Sequence, residues 1–252
     1  MTRVLPKWEQ YERVVAQLVS NELSTHFCVT PNAHLPGRIS GRSRQIDVLI
    51  DLRHDSDNSR RVIIDAKMRT RKINVSDVEA FRGLMEDVAA THGYLVCPKG
   101  YTKAAERRAQ SAISIRLLPL DRLDYFDPSK WPACEAPNCK DGLVFWDGYP
   151  ELTLALVPVS VPISSNQKLI SYVHYIGKCD RCGRFHVKCV TCNEMLSPPH
   201  DDDNDYGQQC RCKLPWFWLA SIKEDEQGVK SAELHAILGT GRVITVDRRP
   251  LQ

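Results

Sequence analysis

Residues 45–68, QIDVLIDLRHDSDNSRRVIIDAKM, divide into two apolar runs, 45–52 and 60–68, around the polar turn 53–59. Runs of this length bounded by polar turn residues predict two strands joined as a hairpin. A symmetric turn centred on Ser56 sets Asp47 opposite Asp65 and Gln45 opposite Lys67. Alternation along a strand puts Asp65 and Lys67 on one face and Ile64 and Ala66 on the other; Ile46, Val48 and Ile50 face away from Asp47. Opposed side chains lie about 5 Å apart at Cβ, so two carboxylates and a lysine gather on one face.

Carboxylates that close repel each other unless one is protonated, a lysine neutralises them or a divalent ion bridges them. Mg²⁺ suits the last case, because it takes oxygen ligands and keeps several waters when bound by one or two carboxylates. A lysine beside such an ion can orient an attacking water, which gives the parts of a phosphodiester hydrolysis site. The plainer reading is a solvated hairpin with an ordinary Asp–Lys pair.

Working outward, residues 8–23 predict a helix, with Tyr11, Val14, Val15, Leu18 and Val19 at helical spacing. A Pro- and Gly-containing loop is expected over 31–44. Ser76 with Glu79 three residues later reads as a capping box, opening a helix that carries Val78, Phe81, Leu84, Met85 and Val88 on one face and ends at Gly93. Residues 94–97 read as a short buried strand, Thr102 as the cap of a helix through Ala112, and 115–118 as a last strand. This order predicts an α/β unit over residues 1–125, a mixed sheet flanked by helices. Residues 128–141, with three prolines and two cysteines, read as a linker into a second, mainly β unit over 126–252. Its expected strands are 143–146, 152–161, 169–176, 216–222, 233–238 and 242–246, and the acidic run 201–205 reads as a solvated loop.

Eight of the ten cysteines fall in this second unit as four short-spaced pairs: Cys134/Cys139, Cys179/Cys182, Cys189/Cys192 and Cys210/Cys212. Two thiolates on one tight turn can converge on one tetrahedral Zn²⁺, and Gly183 directly after Cys182 lets the backbone turn under the metal. Two structural zinc sites are expected. Sequential pairing gives Cys134, Cys139, Cys179 and Cys182 for one and Cys189, Cys192, Cys210 and Cys212 for the other; an interleaved arrangement stays open. His174, His186 and His200 are alternative ligands. Cys28 and Cys97 stand in apolar settings and read as buried small residues. Trp216-Phe217-Trp218 reads as core ahead of an exposed stacking platform for bases.

Asp47, followed by Asp65-Ala66-Lys67 at the end of an apolar strand, resembles the PD-(D/E)xK nuclease pattern. Tyr11-Glu12, Arg44-Gln45-Ile46-Asp47-Val48, Val62 to Lys67, Val78 to Gly83, Gly93 to Val96 and Tyr101 to Ala105 extend the resemblance to the Mrr-like restriction endonuclease branch, over roughly residues 8–120. The resemblance implies a restriction-endonuclease-like fold, with Asp47 and Asp65 as ligands of Mg²⁺ or Mn²⁺ and Lys67 positioning the nucleophilic water. Glu12 matches an acidic position that supports the metal, and Gln45 joins the candidate catalytic set. The middle acid is Asp65 where many relatives have Glu, and Ile46 stands where the family name has proline. Arg42, Arg44, Arg69, Arg71 and Lys72 flank the triad and would hold phosphates without reading bases.

Composition fits this picture. The 252 residues are 42% hydrophobic and 26% charged, which excludes a disordered chain, and no apolar run is long enough to span a membrane. Net charge is +3, with the excess of basic residues in the first 125. The N-terminal residues include Lys7, Trp8 and Glu9 where a signal peptide needs an apolar stretch, so the expectation is a cytoplasmic protein in which disulfides are disfavoured. The expected activity is metal-dependent DNA endonuclease, in restriction or anti-phage defence, by a homodimer or with a defence partner; RNA stays open as a substrate. The alternatives are a catalytically silent or partner-gated nucleic-acid-binding module and a structure-specific repair or junction nuclease.

Overall fold

The computed structural model describes residues 6–23, 26–53, 60–111, 115–118, 131–156, 170–200, 207–225, 228 and 230–251. The hairpin turn beyond Arg53, the end of the strand expected at 152–161 and the acidic run 201–205 lie outside them.

The N-terminal part is a five-stranded sheet in sequence order: β1 (Phe27–Pro36), β2 (Ser43–Leu52), β3 (Val62–Ala66), β4 (His92–Val96) and β5 (Ile115–Leu118). The first three strands pair antiparallel and the last three parallel. A parallel pair needs a crossover, supplied by α2 (Val75–Asp87) between β3 and β4 and α3 (Lys103–Gln110) between β4 and β5. These helices bury Val78, Phe81, Met85, Ala105 and Ala109 against Leu49, Ile63 and Leu95. Helix α1 (Lys7–Glu22) packs Tyr11, Val15 and Ala16 into a second cluster with Val48, Ile50, Ile64 and Ala66. The sheet is therefore mixed and covered on both faces, the α/β class expected.

The expected hairpin register holds. Val48 pairs with Ile64, Leu49 with Ile63 and Ile50 with Val62, which sets Asp47 opposite Asp65. Ile46 departs from the expected alternation, since it packs with Leu49 and Ile63 rather than with Val48 and Ile50. Opposite this point the β1–β2 ladder skips Asn32, whose φ is +50°.

Three local readings are corrected. The loop expected over 31–44 is largely strand, β1 and the start of β2, with a turn only at 37–42. Its prolines are accommodated because β1 is an edge strand, where a missing N–H breaks no inner ladder. Helix α2 is capped by Asn74, not Ser76; the Asn74 side chain accepts from the Asp77 N–H, and the Asp77 carboxylate accepts from the Asn74 N–H, both at 3.0 Å. The helix ends at Asp87, ahead of Gly93. Gly93 lies inside β4, where a Cβ would come within 2.6 Å of the Phe81 ring and 2.7 Å of Met85 Sδ.

The C-terminal part is mainly β. One sheet runs β6 (Val144–Leu156), β7 (Ile170–Cys179), β8 (Phe185–Cys189) and β9 (Met195–Leu196); the other runs β10 (Trp216–Glu224), β11 (Lys230–Leu238) and β12 (Val243–Pro250). Strands β8 and β9 are additions to the expected set. Trp216 and Trp218 are buried while Phe217 between them is exposed, so the aromatic cluster is core by strand alternation. The two parts share packing: Trp131 and Phe145 belong to the same cluster as Tyr11 and Val48. Among the described residues, no helix is long and apolar enough to cross a membrane.

Candidate functional site

At the end of the β2–β3 ladder the backbone pairing gives way to a side chain. Asp47 Oδ2 accepts from the Ala66 N–H at 2.8 Å, so the carboxylate is fixed one residue beyond the last paired positions. Asp65 is 9% exposed, and Lys67 Nζ stands 2.6 Å from its Oδ1. The Lys67 N–H donates to Val96 O at 2.7 Å, which carries the β3–β4 pairing past the strand's end and holds the lysine in place. Glu12, on α1, lies close enough to Asp47 and Asp65 to feel both charges.

Electrostatics ties these groups together. Burial, and then the Asp65 charge, push Asp47 up to about 7 from an ordinary 3.8. Burial, followed by Asp47 and Glu9, pushes Glu12 up to about 8. Lys67 opposes both shifts without cancelling them. The centre carries more carboxylate than its cations neutralise, the condition under which a divalent ion is favourable. Among the described residues, only two cysteine quartets bring three or more His, Cys, Asp or Glu donors within 4.8 Å of one another. Asp47, Asp65 and Glu12 therefore do not all lie within that distance of one another. Gln45 is exposed and donates from Nε2 to Asn32 Oδ1 at 2.8 Å. It borders the site rather than joining the carboxylates.

The flanking cations are largely engaged. Arg69 and Arg71 both bind Asp77 of the α2 capping box, at 2.5 and 2.8 Å. Against its own partial burial, Arg71, the Asn74 N–H and Arg69 hold Asp77 well below the usual carboxylate range. Arg44 lies 3.5 Å from Asp87. Arg42 and Lys72 are exposed.

The cysteines gather in the two sequential quartets, Cys134/Cys139/Cys179/Cys182 and Cys189/Cys192/Cys210/Cys212. Sulfur separations are 3.6 Å for Cys134–Cys182 and Cys139–Cys179, and 3.9 Å for Cys189–Cys212. Tetrahedral bonds of about 2.3 Å to one Zn²⁺ place sulfurs about 3.8 Å apart. The knuckles share one backbone device: Gly183, Asn193 and Lys213, each directly after the second cysteine of a pair, have φ of +63°, +58° and +49°. The N–H of Cys179 donates to Arg184 O, and that of Cys189 to Glu194 O, five residues on in both cases. His174 and His186 are fully buried and stand outside both quartets, as does His200.

A group that sequence reading passed over joins the two parts. Arg13, buried on α1, binds Glu9 and Asp180, the latter lying between Cys179 and Cys182. Arg181 Nη2 reaches Glu9 Oε1 at 2.8 Å. The i, i+4 spacing of Glu9 and Arg13 is visible in sequence; their partners, more than 160 residues away, are not.

A mixed sheet with helices on both faces, with an acid and an acid–x–lysine set on neighbouring strands, is a restriction-endonuclease-like arrangement. Residues 6–126 match the Mrr_cat family model, described as a restriction endonuclease. The matched stretch is similar to the restriction endonuclease family that this model describes, and the cysteine quartets lie C-terminal to it. Among solved structures, the crystal structure of AF1548, a protein of unknown function, is similar at 16% identity and a TM-score of 0.36. The match covers 44% of this chain and 57% of that one. No curated protein matches the chain.

Proposed function

We propose that the protein is a metal-dependent DNA endonuclease acting in restriction or anti-phage defence, with two structural Zn²⁺ held by the cysteine quartets. The observation that carries the nuclease chemistry is the convergence of Asp47, Asp65 and Lys67 at one end of the β2–β3 ladder, with Glu12 close by and two acids displaced toward neutral pH. Asp47 and Asp65 would hold Mg²⁺ or Mn²⁺, and Glu12 would support it through water. Bound there, the metal would supply a water of lowered pKa and neutralise charge on the phosphoryl oxygens. Lys67, tethered by Asp65 and by its own backbone bond to Val96, orients the attacking water in line with the scissile bond and faces the developing negative charge. Each quartet, with four thiolates and no open position, would stabilise a fold rather than perform chemistry.

Plasmid cleavage tests this reading. Wild-type protein with Mg²⁺ or Mn²⁺ is expected to nick and linearise supercoiled DNA, and EDTA to abolish the reaction. Lys67→Ala is expected to lower the rate by about 10²-fold or more, the scale of losing a positioned polar group at a transition state. Cleavage unaffected by both changes, or no cleavage with either metal, would overturn the proposal.

A further inference from the structure

The acidic centre opens beside α1 into a small cavity of about 40 Å³. Its walls include Trp8, Glu12, Gln45 and Asp47 together with Asp180 and Arg181. The first cysteine knuckle thus lines the cavity, since Asp180 and Arg181 are the two residues between Cys179 and Cys182. We infer that this knuckle is one wall of the substrate cleft and that Arg181 contacts a phosphate next to the scissile bond. The inference rests on the nuclease reading and adds to it a residue from outside the matched nuclease stretch.

Three observations carry it. The knuckle is fixed on α1 at depth: Arg13 is 3% exposed, binds Glu9 and Asp180, and lies with its guanidinium 5.7 Å from the Trp131 ring centre. Asn32, beside Gln45, adds a bond from its Nδ2 to Asp180 O at 3.0 Å. Arg181 has a different environment. Its side chain is 39% exposed and its guanidinium rests on Glu9, one helical turn before Glu12, so it stands at the rim with its remaining donors accessible. Charge supplies the third observation. Asp65, with Asp47 and Glu12 as they ionise, would repel a polyanion approaching this cleft, and Arg44, Arg69 and Arg71 are engaged by Asp87 and Asp77. Arg181 is the arginine of the cavity wall that reaches solvent, and a planar guanidinium can hold Glu9 and a phosphate oxygen at once.

The test uses the full chain carrying zinc, a fluorescently labelled DNA duplex, and both cleavage kinetics and binding in Ca²⁺ over a salt series. Arg181→Ala and Arg181→Gln are expected to raise KM about tenfold, the worth of one charge-assisted bond, with kcat nearly unchanged. They should also lower the slope of log K against log salt by about one ion. Arg181→Lys should recover part of the affinity. Arg211→Ala, in the second knuckle with its side chain 73% exposed, should change neither quantity. Zinc content and melting temperature are read on every variant. Unchanged KM and salt slope in folded Arg181 variants of a cleaving wild type would overturn this inference alone. Loss of zinc with an unchanged salt slope would also overturn it, since Arg181 would then be only a tie between knuckle and helix. A wild type that neither binds nor cuts the duplex would remove the nuclease reading itself.

Discussion

Asp47 sits where burial and a neighbouring carboxylate make ionisation costly. With its folded-state pKa near 7 and an ordinary value of 3.8 in the unfolded chain, the native protein holds a proton that the unfolded chain has released between those limits. The associated stability is fully present below about pH 4 and is lost as pH rises towards 7. In EDTA, Asp47→Asn is therefore expected to be more stable than wild type at pH 8, by on the order of 1–3 kcal/mol. The gap should close toward pH 4, and urea denaturation at both ends of the range measures it. Parallel pH profiles for the two proteins would show that the carboxylate is not strained as described. This carboxylate pair was legible in the sequence because hairpin register is arithmetic: once the turn is centred, every pairing follows, and the ladder from Val48–Ile64 to Ile50–Val62 is the one that arithmetic requires. The engagement of Arg69 and Arg71 was not legible. It depends on Asp77 being the third residue of a cap, and Ser76-x-x-Glu79 offers a competing cap two residues later in the same run.

The cysteine knuckles are the elements with the clearest sequence signal, because spacing alone brings two thiolates to one turn. Their pairing into quartets is a tertiary fact: β7 carries Cys179 to its end beside the turn holding Cys134 and Cys139, and β8 carries Cys189 toward Cys210 and Cys212. Gly142 shows how tightly the first quartet is built. A Cβ there would collide with Cys179 Sγ and come within 2.6 Å of Cys139 Sγ, and the Gly142 carbonyl accepts from the Cys134 N–H at 2.9 Å. The turn cannot yield without moving a ligand. Gly142→Ala is expected to lower zinc from two ions per chain to one by elemental analysis, whereas Gly83→Ala, with open space around its Cβ in α2, should retain both. Two ions in the Gly142 variant would mean that the quartet tolerates far more displacement than four bonds of fixed length allow. Edge strand β1 was hidden for the opposite reason. Pro31, Pro36 and Gly37 are loop signals in isolation, and only the strand's place at the sheet edge makes them acceptable.

At the scale of the molecule, the stretch that matches the nuclease family and the unit that folds need not coincide. The α1 face of the sheet is closed by Trp131 and Phe145, both outside residues 6–126. Charges cross the same boundary in the interior. Arg13 binds Asp180, Arg53 binds Asp247 at 2.6 Å, and Lys178 lies 2.9 Å from Asp247 and 2.8 Å from Cys28 Sγ. Arg53, Lys178 and Asp247 are each at most 1% exposed. Removing one partner of a buried pair costs about 3–5 kcal/mol, and truncation after residue 126 removes a partner from both Arg13 and Arg53 while uncovering an apolar face. Total stability of a domain is about 5–15 kcal/mol, so these losses are of the same size as the whole. A fragment of residues 1–126 is expected to lack a cooperative thermal transition and to bind a hydrophobic dye, whereas the full chain unfolds in one calorimetric step. Chelating the zinc of the full chain should lower that single transition rather than split it, because the first quartet lies next to Asp180 and the second shares a core with β7 and β10. A fragment that melts cooperatively near the full-length temperature would separate the nuclease domain from its cysteine-bearing partner. The buried inter-part ion pairs would then be dispensable for folding of the N-terminal part.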